Sequence, residues 1–190
     1  GSQTEHWILN TCNMKHVFLY IFLSFSLFAF SQNEQLAQYY YDKGDFEKAK
    51  ISYEELLKSI PQNSQYFLRT IDCYQQLQQF DTAEKAIFER FNTYKQGTLL
   101  VELGYNFQLQ KNDAKAQNYY EQALDRIKKN PNEVYGISNS FEKKVLLEYA
   151  LKSYQTAATL EPNFNFNYQV GLLYGQLGNQ EMMISTFLDE

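Results

Sequence analysis

From residue 32 onward the chain is written in short amphipathic stripes. Apolar and aromatic residues recur three or four apart, as in Leu36, Ala37 and Tyr40 and again in Ala49, Tyr53 and Leu56, which stripes one face of each of two successive helices. Between the stripes, Gly44-Asp45 supplies a left-handed stop for the first helix and an N-cap for the second, and Asn112-Asp113 is expected to do the same further along. The pattern then repeats. Gly44-Asp-Phe-Glu-Lys-Ala49, Gln79-Phe-Asp-Thr-Ala83, Lys111-Asn-Asp-Ala-Lys-Ala116, Leu147-Glu-Tyr-Ala150 and Gly178-Asn-Gln-Glu-Met-Met183 fall into register, with 49, 83, 116, 150 and 183 equivalent at spacings of 34, 33, 34 and 33. One helix pair cannot bury both of its faces, whereas pairs stacked in series can, so the pattern predicts a curved, quasi-linear solenoid. Small residues at Ala37, Ala49, Gly104 and Ala116 let helix axes approach to about 8–10 Å.

The amino-terminal part has a different texture. Met14-Lys15-His16 opens a segment whose apolar run, Val17 to Phe30, is 14 residues long, and a bilayer-spanning helix needs roughly 20. This is the layout of a signal peptide. Ala29 and Ser31 provide the small side chains a signal peptidase accommodates, so residues 14–31 are expected to be removed after Ser31, leaving Gln32 as the mature start and no stable membrane span. Residues 1–13 are expected to be a tag or an upstream segment. Residue 190 falls partway along the second helix of the fifth unit, so the natural protein is expected to continue beyond it.

The repeats resemble the tetratricopeptide-repeat family, whose unit is a pair of antiparallel helices of about 34 residues. Nine residues before each anchor stands a ring, Tyr40, Tyr74, Phe107, Phe141 and Tyr174, and four after it stand Tyr53, Ile87, Tyr120, Tyr154 and Phe187. The family's small position is filled by Ala37, Ile71, Gly104, Ser138 and Gly171. Pro61 and Pro162 fall at its closing proline, with Pro131 a few residues late. The second repeat lacks that proline, and the fourth replaces the Gly-Asp turn with Lys144-Val-Leu. The resemblance implies an all-α, right-handed superhelical solenoid of about five helix-turn-helix repeats at about 32–63, 64–96, 97–131, 132–163 and 164–190, the last truncated. Ala37, Tyr40, Ala49, Tyr53, Tyr74, Ala83, Gly104, Phe107, Ala116, Tyr120, Ala150, Tyr154, Gly171 and Tyr174 are then its packing residues.

Composition narrows the function. The 31 Tyr and Phe residues against three Pro exclude a disordered linker, and a net charge of −5 disfavours nucleic acid as a partner. Both histidines, His6 and His16, precede Gln32, so the expected mature chain has no His and one cysteine, Cys73. That excludes a Ser-His-Asp or Cys-His arrangement, a Cys/His zinc site, a haem site and an internal disulfide. No phosphate-binding loop or calcium loop is present, and pairs such as Glu54-Glu55 read as solvated helix faces. No catalytic residue, metal or cofactor is assigned, and Cys73 reads as an inert, partly buried thiol.

By resemblance, the ligand groove of such repeats is lined by the first helix of each unit. The corresponding positions are Glu34, Gln38 and Tyr41; Leu68, Asp72 and Gln75; Val101, Tyr105 and Gln108; Tyr135, Asn139 and Glu142; and Tyr168 and Leu172. Of these, Gln38, Tyr41, Asp72, Gln75, Tyr105, Gln108, Tyr135, Asn139 and Tyr168 are the expected partner-binding set, because stiff Tyr rings and amide side chains suit a peptide without demanding charge. The carboxylate clamp of chaperone-tail binders is absent, since Glu34, Gln38, Arg69, Thr98 and Glu102 stand at its positions. The resulting expectation is a non-catalytic protein-interaction scaffold of the Gram-negative periplasm or cell envelope, binding a protein or peptide. The alternatives are a carbohydrate-binding uptake protein, or the non-catalytic front of a larger sensor or enzyme.

Overall fold

The computed structural model describes residues 32–160 and 165–188. The expected signal peptide, the first thirteen residues and Pro162 lie outside them. The described residues form helices α1 (32–42), α2 (Phe46–Ser59), α3 (Ser64–Gln76), α4 (Phe80–Tyr94) and α5 (Thr98–Leu109). They continue as α6 (Asp113–Lys129), α7 (Val134–Lys143), α8 (Leu147–Leu160), α9 (Asn167–Gln176) and α10 (Gln180–Leu188), with one 3-10 turn at Pro131–Glu133. Among the described residues none is in a strand, and no helix is long and apolar enough to cross a membrane. The chain is built of helix-turn-helix repeats.

Each of the five turns inside a repeat carries one left-handed residue: Gly44, Gln78, Lys111, Val145 and Gly178. These stand five residues before 49, 83, 116, 150 and 183, so the backbone obeys the period read from the side chains. The turn is a Schellman closure, which satisfies carbonyls that the end of a helix would otherwise leave orphaned. The Asp45 amide donates to the Tyr40 carbonyl at 3.0 Å, Asn112 to Phe107 at 3.0 Å, Leu146 to Phe141 at 2.9 Å and Asn179 to Tyr174 at 2.9 Å. The side chains of Asp45, Asn112 and Asn179 then cap the following helices by accepting from the amides of Lys48, Lys115 and Met182. In the third repeat the stop is Lys111 and the cap Asn112, one residue earlier than the Asn112-Asp113 assignment, because Lys111 takes the left-handed φ of +60° and Asn112, outside that region at φ −100°, turns its oxygen onto the Lys115 amide.

The chain divides into two compact units between Leu77 and Gln78, inside the expected second repeat. In the first unit Ala37, Ala49, Tyr53, Leu56, Tyr66 and Cys73 form one buried cluster, flanked by Tyr40, Tyr41, Phe46, Leu57 and Ile60. Cys73 is fully buried rather than partly so, and burial pushes its thiol up to about 12, which leaves it protonated and unreactive at neutral pH.

In the second unit α5 packs on α4, α6 and α7, α8 packs on α6, α7 and α9, and α9 packs on α10. Gly104 and Gly171 mark the tightest approaches. A Cβ at Gly104 would penetrate the Tyr120 ring, and one at Gly171 would lie 2.5 Å from Phe187. Ala83, Phe107, Ala116, Tyr120, Ala150 and Tyr154 are buried here, whereas Tyr40, Tyr74 and Tyr174 are half-buried.

Candidate functional site

The first helices of the repeats present their polar positions in two quite different states. In the first unit those positions are occupied with one another. The Tyr53 hydroxyl donates to Gln38 Oε1 at 2.9 Å, and Gln38 Nε2 donates to Asp42 at 2.7 Å. The Tyr41 hydroxyl reaches Asp72 Oδ2 at 3.4 Å, and the Arg69 guanidinium lies 4.2 Å from the Tyr41 ring centre. Burial, then the Asp72 carboxylate, hold the Tyr41 hydroxyl above its ordinary pKa. Gln75 is only 5% exposed, so it faces the interior and presents no binding surface.

The third repeat is also closed. Val101 is fully buried, and Glu102, 4% exposed, pairs with Lys144 Nζ at 3.1 Å. The same ammonium sits 4.6 Å from the Tyr105 ring centre, and Gln108 Oε1 accepts the Tyr120 hydroxyl at 2.7 Å. Tyr105 and Gln108 thus serve internal contacts.

Between α7 and α9 the second unit opens into a cleft of about 520 Å3. Tyr135, Gly136, Asn139 and Glu142 line it from α7, one step apart and then a helical turn apart each time. The α9 wall is Gln169, Leu172, Leu173 and Gln176, likewise one face of its helix, and the Tyr154 ring reaches it from α8. Tyr135 remains 50% exposed while its ring edge packs on Tyr154 at 6.0 Å and on Phe166 at 5.7 Å. Glu142 Oε1 accepts from Ser138 Oγ at 3.3 Å, and Ser138 Oγ also lies 3.3 Å from the Ala150 carbonyl. Burial raises the Tyr154 pKa, so that hydroxyl stays protonated. Gln169 Oε1 is buried and accepts no hydrogen bond among the described residues.

Of the expected binding residues, the cleft brings together Tyr135 and Asn139, with Glu142 and Leu172 from the same register. Tyr168 does not line it. That side chain is 57% exposed and leans on Phe187 at 6.2 Å. Its neighbour Gln169 occupies the wall, and Gln169, Leu173 and Gln176 are the α9 residues that register transfer missed. Their signal was the stripe 169, 172, 173, 176, which is a helical face in its own right. Among the described residues no group of His, Cys, Asp or Glu is placed to hold a metal.

The tetratricopeptide-repeat family profile matches residues 33–63, the helix pair α1–α2 whose turn geometry recurs at every later repeat. Residues 33–63 are a tetratricopeptide repeat. No match was found among curated protein sequences. Solved structures of similar form include the MamA protein, 17% identical over 83% of this chain and 87% of that one, with a TM-score of 0.43. MamA 41-end from Desulfovibrio magneticus RS-1 is 12% identical over 84% and 92%, with a TM-score of 0.45. YrrB, described as a tetratricopeptide-repeat protein with an unusual peptide-binding site, is 15% identical over 79% and 78%, with a TM-score of 0.38. Likeness at this level transfers none of their partners to this chain.

Proposed function

We propose that this tetratricopeptide-repeat chain is a non-catalytic interaction scaffold that captures a segment of a partner protein in the α7–α9 cleft. One observation carries the reading: the cleft presents the half-exposed Tyr135, the exposed Asn139 and the buried Gln169 oxygen that accepts no hydrogen bond, while Gln38 and Gln108 of the first and third repeats are bonded internally. A rigid wall of rings and amides loses little freedom on binding, so the partner segment bears most of the ordering cost. Export to the periplasm or cell envelope of a Gram-negative bacterium is part of the proposal and rests on the basic start and the 14-residue apolar run at residues 14–31.

A photoreactive amino acid placed at Asn139 tests this, with the same group at the exposed Asn118 of α6 as the control. In envelope extract, a discrete crosslinked protein is expected from position 139 and not from 118. Equal crosslinking from both positions, or none from 139, would overturn the reading.

A further inference from the structure

We infer that the α7–α9 cleft is built for an arginine side chain of the partner segment; this rests on the scaffold reading and names the chemistry of what it captures. The lining is rich in acceptors and has no cation. Glu142 is its only charged group, and no Lys, Arg or His lines either wall. On the opposite wall Gln169 Oε1 is buried without a donor among the described residues. A buried acceptor without a donor forfeits its hydration without replacement, so it is a standing demand for an N–H or O–H from outside. Acceptors therefore face the cleft from two helices, one carrying formal negative charge.

Three features select arginine among donors. Its guanidinium carries five N–H groups in a planar fork, enough to serve a carboxylate on one side and an amide oxygen on the other. Its plane stacks on aromatic faces, and half of Tyr135 is open to receive it, with Tyr154 beside it. It is also more weakly hydrated than an ammonium, so it enters a half-apolar cleft walled by Leu172 and Leu173 at lower cost. The third repeat shows a cation used in just this way within the fold, where Lys144 bonds Glu102 and covers the Tyr105 ring. In the cleft, the carboxylate and the ring are present and the cation is missing.

The test uses capped pentapeptides Gly-Ser-X-Ser-Gly, with X as arginine, citrulline, lysine, leucine or glutamate, titrated into the full chain and followed by two-dimensional amide NMR. The arginine peptide is expected to shift the signals of Gly136, Asn139 and the Gln169 side-chain amide. Citrulline, which keeps the shape and loses the charge, should bind about tenfold or more weakly, and Glu142→Gln should weaken the arginine peptide by a similar factor. Gln169→Leu should abolish arginine capture while raising the melting temperature of the free chain, an opposite pair of effects that a purely structural role for Gln169 would not produce. Equal affinity for arginine and citrulline, or full binding by Glu142→Gln with unchanged helicity, overturns the inference. Leucine-peptide shifts in the same signals, without arginine preference, would overturn the arginine pocket and leave the scaffold standing. Failure of the Asn139 crosslink would instead remove the scaffold itself.

Discussion

Gln38 in the first unit and Asn139 in the second occupy the same position of the repeat, and both carry an amide, yet they live in opposite circumstances. Gln38 accepts from the buried Tyr53 hydroxyl and donates to Asp42, whereas Asn139 is exposed on the wall of an open cleft. The same contrast separates Tyr41, bonded toward Asp72 under the Arg69 guanidinium, from Glu142, which occupies the equivalent site with no cation lining its cleft. A repeat position therefore fixes where a side chain stands but not whether it is available. Availability is decided by what the second helix and the next repeat bring to it.

The largest expected effects probe what the two regions share. Leucine at Ala37 or at Gly104, equivalent small positions in the two units, forces a branched side chain into a closed helix contact. Each should cost about 3 kcal/mol, read as the loss of stability in urea unfolding followed by circular dichroism. Tolerance at either site would break the equivalence of the repeats. The contrast itself is sharpened by Gln38→Ala against Asn139→Ala. Removing Gln38 strands a buried hydroxyl and should cost about 1–2 kcal/mol, while Asn139→Ala should stay within about 0.5 kcal/mol in the same assay. Equal costs would mean that the cleft residue is structural after all.

A smaller effect is expected at the turns. Val145 is a β-branched residue at φ +58°, 76% exposed, where Gly44 and Gly178 stand in the first and fifth repeats. Val145→Gly should raise stability by about 1 kcal/mol, and Gly44→Ala should lower it by a similar amount, both measured by thermal melting.

The architecture was legible because every repeat signals it locally. The anchors at 49, 83, 116, 150 and 183, the small residues at 37 and 104 and the Gly44-Asp45 turn each depend on neighbours within one helix pair, and helical spacing maps them directly onto a face. The candidate site was less so. That Gln75 is buried, that Lys144 is drawn to Glu102 and the Tyr105 ring, and that Tyr120 takes Gln108 are outcomes of pairings across 12 to 42 residues of chain, which periodicity does not record. Gln169 escaped for a different reason. The register itself holds at α9, where Leu172 lines the cleft, but the wall is completed by Gln169, Leu173 and Gln176, which stand one position along from transferred places, and the period does not record which face of α9 meets α7.

The packing of the second unit, in which the main helix contacts join partners one or two places along the chain, has a kinetic consequence. Native contacts of short sequence separation demand little loop-closure entropy before they begin to stabilise one another. Each hairpin, with its left-handed turn already specified in place, can form on its own and serve as a template for the next. Folding of this unit should thus proceed by zipping from neighbour to neighbour at the fast end of the range for single domains, with the cleft walls α7 and α9 assembling as soon as α8 has joined them.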